Sequence, residues 1–322
     1  MSTASSTPRR RLMQLEPTGW LVLDKPAGMS SARAVAQVKR LLGASKAGHA
    51  GTLDPLATGV LPIAVGEATK TMQWAMDGIK AYRFRVRWGE ARDTLDAGGK
   101  VTGCSSTRPS SGAIRRALPA FTGTITQIPP AYSAVHVQGK RAYALARAGS
   151  AVEPAPRRVQ VHELELVDMP DADHADFHMA CGKGTYVRSL ARDLAKALAT
   201  EGHVVTLRRT RAGRFVEDDA VTVAELAAIA DKGGVGAELL PLDAALAGIP
   251  VLELTEREAA RARQGRRVCP EQVPCMFIRE GAVVASCDGR AVAVGQWSNR
   301  EFSPRRVFRN DPGMRNRSEG NR

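Results

Sequence analysis

A glycine-rich stretch at residues 48–70, GHAGTLDPLATGVLPIAVGEATK, holds the side chain with the clearest chemical potential. Asp54 stands between a leucine and a proline, and the proline restricts Asp54 to an extended conformation. Small and apolar neighbours can exclude water there, so the carboxylate needs a cationic partner to remain charged. An Asp-Pro pair on its own indicates only a turn. The prediction of a reactive carboxylate therefore depends on such a partner.

The best cationic partner in the sequence is Arg188, in the segment GTYVR at residues 184–188. A guanidinium group is planar and pairs with a carboxylate through two parallel hydrogen bonds. Apolar residues follow this segment at helical spacing, which places it at the start of a helix, where anions are favoured. Tyr186 lies two positions before Arg188, so both side chains can reach one pocket from the first helical turn.

Three further residues are candidates for contacts with a nucleic acid. His49 lies in a glycine-rich loop and can enter a groove, Lys70 can contact a phosphate, and Tyr82 can offer its ring to an extruded base. Each also has an ordinary interpretation, as a surface histidine, a solvated lysine and a core aromatic residue. The residue types alone leave both interpretations open.

Sequence patterns typical of metal and nucleotide-cofactor sites do not occur in the chain. The five cysteines lack the CxxC spacing of zinc sites and have no pair of histidines nearby. The segment GKGT at residues 182–185 lacks the Walker spacing, and neither GxGxxG nor GxSxG is present. We therefore predict no metal site, and we expect neither a serine hydrolase nor a Rossmann enzyme.

Strand and helix patterns predict how these residues are positioned. Apolar residues at every second position of 82–88 alternate with arginines, which predicts a strand with one apolar and one cationic face. Ser31 is predicted to cap a helix that Gly43 ends, and residues 102–112, TGCSSTRPSSG, have the composition of a loop. Further short strands are predicted at 20–23, 177–181 and 205–207. The pattern favours an α+β fold around a mixed, largely antiparallel sheet flanked by helices, with a small β-rich C-terminal module.

Charge and composition restrict the partner and the compartment. The chain of 322 residues has 46 Lys and Arg against 33 Asp and Glu, a formal charge of +13, so a polyanion is the expected partner. No apolar run reaches the roughly 18 residues that a membrane helix needs. The start of the sequence has no apolar stretch typical of a signal peptide, and the scattered cysteines favour a reducing environment. We therefore expect a cytoplasmic protein that binds nucleic acid and no membrane.

The segment at residues 48–70 resembles the catalytic signature of the TruB-type tRNA pseudouridine-55 synthases. Other blocks agree with that family in the same order, from residue 23 to residue 215: LDKPAGMSS, KAYRFRVRWGEARDTLDAGG, IPPAYSAVHVQGKRAYALARAG, CGKGTYVRSLARDL and GHVVTLRRTRAGRF. The C-terminal part resembles a PUA-type RNA-binding module through RRV and PRRVF. The resemblance implies four segments: a disordered basic tail (1–17), a pseudouridine synthase catalytic domain (18–248), a PUA-like domain (249–310) and a disordered tail (311–322).

The family's motifs imply roles for individual residues. Asp54 matches the catalytic aspartate, Tyr82 the tyrosine that stacks on the target base, and Arg188 the arginine that pairs with the catalytic carboxylate. The expected substrate-binding residues are His49, which stabilises the flipped target loop, Tyr186, Leu207 in the apolar pocket wall, Lys70 as a phosphate contact, and Lys25 as a structural or RNA-contacting residue. The implied partner is the T-arm of tRNA, bound by a monomer without an obligatory protein partner.

The implied reaction breaks the N1–C1′ bond of uridine 55, turns the base and rejoins it through C5. The reaction is an isomerisation without a redox step, so it needs no cofactor. A base inside a folded RNA must be extruded to react, and Asp54 can then attack C1′ or remove the C2′ proton; the sequence leaves both routes open. Phosphate contacts are expected from the arginines of two strands, namely Arg83, Arg85, Arg87, Arg208, Arg209 and Arg211.

Two other functions fit the same residues. One is a related synthase that depends on a guide RNA and partner proteins; the modest length and the lack of a long Lys/Glu-rich extension favour the stand-alone type. The other is an RNA-binding or RNA-folding module without catalysis. Asp54→Asn distinguishes this module from an enzyme, because in an enzyme the replacement removes the activity while binding of tRNA persists.

Overall fold

The structure is a computed structural model that describes residues 16–133, 135–137, 139–149, 154–232, 238–270 and 279–308. The predicted tail at 311–322 lies outside these residues, as does the tail at 1–17 except for Glu16 and Pro17. Glu16 is held in place, because its carboxylate accepts hydrogen bonds from the Ser45 backbone N–H (3.1 Å) and from the Ser45 hydroxyl.

The described part of the chain alternates strands and helices. Its helices are α1 (Ser31–Leu41), α2 (Met72–Asp77), α3 (Ser111–Ala117), α4 (Ala142–Arg147), α5 (Val187–Ala197), α6 (Val223–Asp231) and α7 (Glu256–Arg263). None of these helices has the length and the apolar composition needed to cross a bilayer.

The strands fall into one large sheet and several small ones. They are β1 (Gly19–Lys25), β2 (Ala47–His49), β3 (Thr58–Val65), β4 (Lys80–Trp88), β5 (Glu90–Arg92), β6 (Val101–Cys104), β7 (Gly123–Gln127), β8 (His136–Val137), β9 (Lys140–Arg141), β10 (Arg157–Asp171), β11 (His174–Cys181), β12 (Gly202–Ala212), β13 (Phe215–Val216), β14 (Val221–Thr222), β15 (Val251–Glu253), β16 (Gly281–Cys287), β17 (Arg290–Ser298) and β18 (Glu301–Val307).

The large sheet has the order β14-β1-β3-β12-β4-β11-β10-β7, with β13 beside β12 and β2 beside β3. Two pairs, β1 with β14 and β3 with β12, are parallel, and the others are antiparallel. The predicted α+β class with a mixed, largely antiparallel sheet is confirmed. The parallel pair β3/β12 matters for function, because it brings Thr58 and Gly59 of the glycine-rich segment beside the arginines of β12.

Strand β4 forms the centre of the core, as its alternating sequence predicts. Phe84, Val86 and Trp88 are buried on one face. The Phe84 ring stacks on the Phe177 ring of β11, with 5.3 Å between the ring centres. The Trp88 ring meets the Phe177 ring edge-on, with 6.3 Å between their centres. Full burial of each such side chain contributes roughly 1.5–3 kcal/mol, so these rings fix the strand that carries Tyr82. Helix α5 covers the same core with Val187, Leu190 and Leu194.

Two local predictions need correction. The N-cap of α1 is Ser30, whose hydroxyl accepts a hydrogen bond from the Arg33 N–H, and not Ser31. The residue type does not distinguish the two neighbouring serines, because either hydroxyl can cap a helix. The Ser31 hydroxyl instead forms hydrogen bonds with the backbone of Leu53, in a distant loop. Residues 102–112 are also not one loop: strand β6 ends at Cys104 and Ser110 caps α3. Strand β6 pairs with β5, a contact between segments that local composition does not reveal.

The C-terminal module is a separate four-stranded sheet in the order β15-β16-β17-β18, with its own core around Leu252, Trp297 and Phe302. The sheet begins at Val251, next to the predicted boundary at 248/249. The module is tied to the large domain by the Lys70 ammonium, which donates to the Val307 carbonyl at 2.8 Å. Its assignment as an RNA-binding PUA-like domain stays a prediction.

Candidate active site

Asp54 lies in the short loop between β2 and β3, and the loop is fastened on both sides of it. The Ser31 hydroxyl is hydrogen-bonded to the N–H and the carbonyl of Leu53, at 2.8 and 2.9 Å. The Pro55 carbonyl accepts a hydrogen bond from the Gly28 N–H at 2.8 Å. The Asp54 side chain remains 32% exposed. The carboxylate therefore has a fixed position and is still accessible to a substrate.

Lys25 reinforces this loop from inside the protein. Its ammonium donates to the carbonyls of Pro26 (2.9 Å), Met29 (2.8 Å) and Pro55 (3.4 Å), and the residue is fully buried. Burial lowers the pKa of Lys25 to about 8, while the nearby Asp54 carboxylate raises it in part. Of the two roles predicted for Lys25, this placement favours the structural one.

Arg188 projects from the first turn of α5 and links Asp54 to the protein interior. Its Nη2 lies 2.8 Å from Asp54 Oδ2 and donates to the Tyr132 carbonyl at 3.0 Å. Its Nη1 donates to the Thr94 carbonyl at 2.7 Å and lies 3.5 Å from Asp96 Oδ2. With 4% of its side chain exposed, Arg188 is a buried cation in ion-pair contact with the Asp54 carboxylate.

A turn between β5 and β6 completes the support of Arg188, and the sequence reasoning missed it. Leu95 adopts a positive φ of 62°, and its carbonyl accepts from the Val204 N–H of β12 at 3.1 Å. The buried Asp96 carboxylate accepts from the Thr94 hydroxyl at 2.7 Å. The turn offers Arg188 one carbonyl and one carboxylate at the same time. The two acidic residues of DTLD, Asp93 and Asp96, were the available signal, although acidic residues are common in turns.

A pocket of about 280 Å³ opens beside Asp54, close to the lower limit of the size range of small-ligand sites. The structure brings five of the predicted site residues to its wall: Asp54, Tyr82, Tyr186, Arg188 and Leu207. Three other predicted residues, Lys25, His49 and Lys70, do not line it. Their catalytic or binding roles, like those of the five wall residues, stay predictions.

Tyr82 and Leu207 form two apolar surfaces of this pocket. Tyr82 is half-buried on β4, between Met179 of β11 and Arg209 of β12 in the strand register. Burial raises the pKa of Tyr82 above its ordinary value, with Arg209 opposing that effect, so its ring is a neutral, flat surface at physiological pH. Leu207 is 7% exposed and pairs with Phe84 in the strand register.

Tyr186 is held at the pocket by its main chain and its ring. The Gln127 side chain accepts from the Tyr186 N–H at 2.8 Å and donates to the Tyr186 carbonyl at 3.0 Å. The guanidinium of Arg157 lies 4.7 Å from the centre of the Tyr186 ring, in the geometry of a cation–π contact. Both partners lie far from Tyr186 in sequence, so neither was foreseen.

His49 and Lys70 lie away from the pocket wall. His49 is on β2, where burial and the charge of Arg209 lower its pKa, and its Nδ1 is buried without a described hydrogen-bond partner. The Lys70 ammonium is 2.6 Å from a Glu67 carboxylate oxygen and also bonded to Val307 of the C-terminal module. These contacts link Lys70 to the module, and they leave its predicted phosphate contact without structural support.

The arginines of β12 differ from the prediction. Arg208 forms a two-pronged ion pair with Asp24, both distances 3.0 Å, and also contacts Glu217 at 3.0 Å. Arg209 is 1% exposed and lines the pocket, so it lies away from the open surface, and its expected phosphate contact stays a prediction. Side chains two positions apart on a strand share a face, and Arg209 therefore follows Leu207 into the pocket. That spacing was the signal available in the sequence.

Two groups of side chains in the described residues have the donor types of a metal site, and both lie outside the pocket wall. One is Glu163, Glu165 and His178; the other is Glu256, Cys287 and Asp288. Exposed carboxylates dominate both groups, and acidic surface clusters are common without a bound ion. The pocket itself offers one carboxylate, which Arg188 already engages.

Comparison with protein families identifies the chain. Residues 39–187 match the model of the TruB family pseudouridylate synthase N-terminal domain, and residues 188–247 match that of the tRNA pseudouridylate synthase B C-terminal domain. The tRNA pseudouridine synthase B of Bradyrhizobium diazoefficiens is 52% identical over 90% of this chain and 85% of its own length. That of Caulobacter vibrioides is 48% identical over 90% and 96%, respectively.

Solved structures support the fold. The chain is similar to one from a Cbf5–Nop10–Gar1 complex, with a TM-score of 0.68 and 26% identity over 87% of this chain and 78% of that one. It also shares its fold with a chain from an H/ACA RNP bound to a substrate RNA containing 2′-deoxyuridine, with a TM-score of 0.70, 22% identity and coverage of 91% and 86%. The sequence matches and the shared fold agree, and the chain belongs to the TruB family of pseudouridylate synthases.

Proposed function

We propose that this protein isomerises uridine 55 in the T-loop of tRNA to pseudouridine, and that Asp54 is the reacting group. The observation that carries the proposal is the contact of 2.8 Å between Asp54 and the buried Arg188 at the edge of a nucleoside-sized pocket. The relatives that share about half of its residues over 90% of the chain are named tRNA pseudouridine synthase B. Tyr82 and Leu207 provide apolar surfaces for a flipped uracil.

Two routes are available to Asp54 once the base is in the pocket. An oxygen of the carboxylate attacks C1′, or it removes the proton from C2′; in both cases the N1–C1′ bond breaks. The uracil then turns and C5 bonds to C1′; in the first route the Asp54–C1′ bond breaks at this step, and in the second C2′ regains its proton. The C5 proton leaves and N1 gains a proton. No redox step occurs, and the product is an isomer of the substrate.

The protein is proposed to act as a stand-alone monomer in the cytoplasm. Its sequence identity to the relatives named tRNA pseudouridine synthase B is about 50%, whereas its identity to the similar chains from multiprotein complexes is 22–26%. Incubation of the purified protein with an unmodified tRNA transcript tests this directly. Pseudouridine at position 55 without any added component supports the proposal. Product that requires a guide RNA and partner proteins supports the guide-dependent alternative instead.

Tyr82→Ala is expected to reduce the turnover of tRNA by about 10- to 100-fold, because base stacking on an aromatic ring is worth roughly 1–3 kcal/mol. Single-turnover rates and the free energy of unfolding are measured together. Phe84→Ala is the matched comparison on the same strand face: it removes a fully packed ring and is expected to cost about 3–5 kcal/mol of stability. If Tyr82→Ala unfolds the protein as Phe84→Ala does, Tyr82 is a core residue and the stacking role is wrong.

The affinity for tRNA is expected to fall steeply as salt increases. Each phosphate contact releases counterions and contributes about 0.7–0.9 to the slope of log K against log salt. Arg83, Arg85 and Arg208 are already paired with carboxylates, so arginines outside these pairs are expected to make most of the contacts. Binding isotherms between about 50 and 200 mM salt measure the slope. A flat dependence argues against a basic RNA-binding surface.

A further inference from the structure

Arg209 is a buried cation in the pocket without an acidic partner. Its Nε donates to the Val60 carbonyl at 2.8 Å and its Nη2 to the Gly51 carbonyl at 3.1 Å. No carboxylate of the described residues lies within 4.0 Å of the guanidinium, whereas its neighbour Arg208 has two. An unpaired buried charge is costly, so its presence at the pocket wall points to a partner that arrives with the substrate.

The surroundings of Arg209 make this end of the pocket strongly positive. Lys80 lines the pocket and Lys25 lies behind it, and both are buried and held by backbone carbonyls: Lys80 donates to Gly78 at 2.6 Å and Lys25 to Met29 at 2.8 Å. Burial lowers the pKa of Lys80, and the charge of Arg209 lowers it further. The carboxylate of the pocket, Asp54, is engaged by Arg188.

Arg209 is placed to meet the base of a bound nucleotide and not its phosphate. In the strand register it lies opposite Tyr82, the proposed stacking surface, and it shares a strand face with Leu207. It is 1% exposed, whereas Lys183 at the pocket has 72% of its side chain exposed. A phosphate belongs to the RNA backbone and stays at the outer edge of the pocket. The deep position of Arg209 therefore fits a group on the base.

The partners of the Arg209 guanidinium among the described residues are neutral. Its Nε and Nη2 donate to backbone carbonyls, and a hydrogen bond from Arg209 to the Tyr82 side chain lowers the pKa of that tyrosine in part. Gly51, at a positive φ of 104°, leaves space there: a Cβ on that residue would lie 3.5 Å from Nη1. A side chain at position 51 would thus narrow the approach to the guanidinium, which the glycine keeps open.

We propose that Arg209 stabilises the negative charge that develops on uracil when its bond to the sugar breaks; this inference rests on the proposed function. When the N1–C1′ bond breaks, both electrons stay with the uracil, and the charge spreads over N1 and the two carbonyl oxygens. Asp54 meanwhile bonds to C1′ or takes the C2′ proton. A preorganised N–H donor at a buried site binds the anion more strongly than the neutral base, and this difference lowers the barrier. The charge disappears when C5 bonds to C1′, as Asp54 leaves C1′ or returns the proton to C2′. The C5 proton then leaves and N1 is protonated.

The test compares two leaving groups in tRNA that carries uridine or 5-fluorouridine at the target position. Fluorine withdraws electrons, so the 5-fluorouracil anion needs less help from the protein. Arg209→Gln is expected to slow the single-turnover conversion of the target uridine by about 100-fold, which is in the range for removal of one oxyanion donor. The same variant is expected to slow the conversion of 5-fluorouridine by tenfold or less. Arg209→Lys keeps the charge and is expected to fall between Arg209→Gln and the unchanged protein. The affinity of both variants for tRNA is expected to stay within threefold of that of the unchanged protein.

Arg208→Gln is the matched comparison, because Arg208 adjoins Arg209 on the chain and its charge is already paired; it is expected to affect both substrates by the same factor. The inference is overturned if Arg209→Gln slows the two substrates equally. It is also overturned if the reduced activity of this variant is explained by weaker binding of tRNA. Thermal unfolding checks that the variants are folded, and if Arg209→Gln is not, Arg209→Lys carries the same comparison. A failure of the proposed function is distinguishable, since the unchanged protein would then form no pseudouridine from the uridine substrate.

Discussion

Asp54→Asn is expected to abolish pseudouridine formation while the protein still folds and binds tRNA. The amide has nearly the same shape as the carboxylate, but it neither attacks C1′ nor accepts the C2′ proton. Both routes need a basic oxygen, so the expected loss of rate is about 10⁴-fold or more. Release of the C5 hydrogen from labelled uridine in tRNA measures the reaction, and filter binding measures the affinity.

Asp77→Asn is the control for that experiment. Asp77 is an exposed acid that pairs with Lys183 at 2.7 Å and does not line the pocket, and exposed ion pairs contribute little. Its replacement is expected to leave the rate and the affinity unchanged. If Asp54→Asn retained activity, the reacting group would be another residue. If it lost tRNA binding in parallel with activity, a binding role for Asp54 would explain the loss.

Arg188→Met is expected to reduce activity by about 10²- to 10³-fold and to destabilise the protein by about 3 kcal/mol, the lower end of the range for breaking a buried ion pair. The side chain serves two carboxylates and two carbonyls, those of Asp54, Asp96, Thr94 and Tyr132. Methionine fills a similar volume but leaves these groups without a partner. Asp54 is partly exposed, so water recovers part of the lost interaction.

Single-turnover rates and urea unfolding of the Arg188 variants separate the effects on catalysis and on stability. Arg188→Lys keeps one charge but cannot make four contacts with one ammonium group, so it is expected to recover stability more fully than activity. Full activity of Arg188→Met would show that the ion pair does not contribute to catalysis. A loss of stability without any loss of rate in the folded fraction would assign Arg188 a structural role alone.

The sequence could predict the parts of the site that follow from local pattern and charge. The alternation around Tyr82 defined β4, and the single carboxylate in an apolar setting required a cation, for which Arg188 was the best partner. The structure places these two groups in contact. Their catalytic roles came from family resemblance and not from the pattern itself.

Contacts between distant segments could not be predicted in this way. Ser31 looked like a helix cap, because a serine hydroxyl caps a helix or binds a loop equally well, and only the fold brings Leu53 to it. The turn at Asp96 reaches Arg188 through its pairing with β12; the acidic residues of DTLD indicate a turn but do not reveal that pairing. Arg209 was grouped with the arginines expected to contact phosphates, whereas its two-residue spacing from Leu207 indicates that it shares the strand face of that apolar residue.

A crystal structure of Asp54→Asn bound to a tRNA T-arm tests the central claim most directly. The account predicts that uridine 55 is extruded into the pocket, with its base against Tyr82 and Leu207 and its C1′ and C2′ beside the side chain at position 54. A uridine 55 that stays stacked in the T-loop, or a ribose bound far from residue 54 and Arg188, would contradict it.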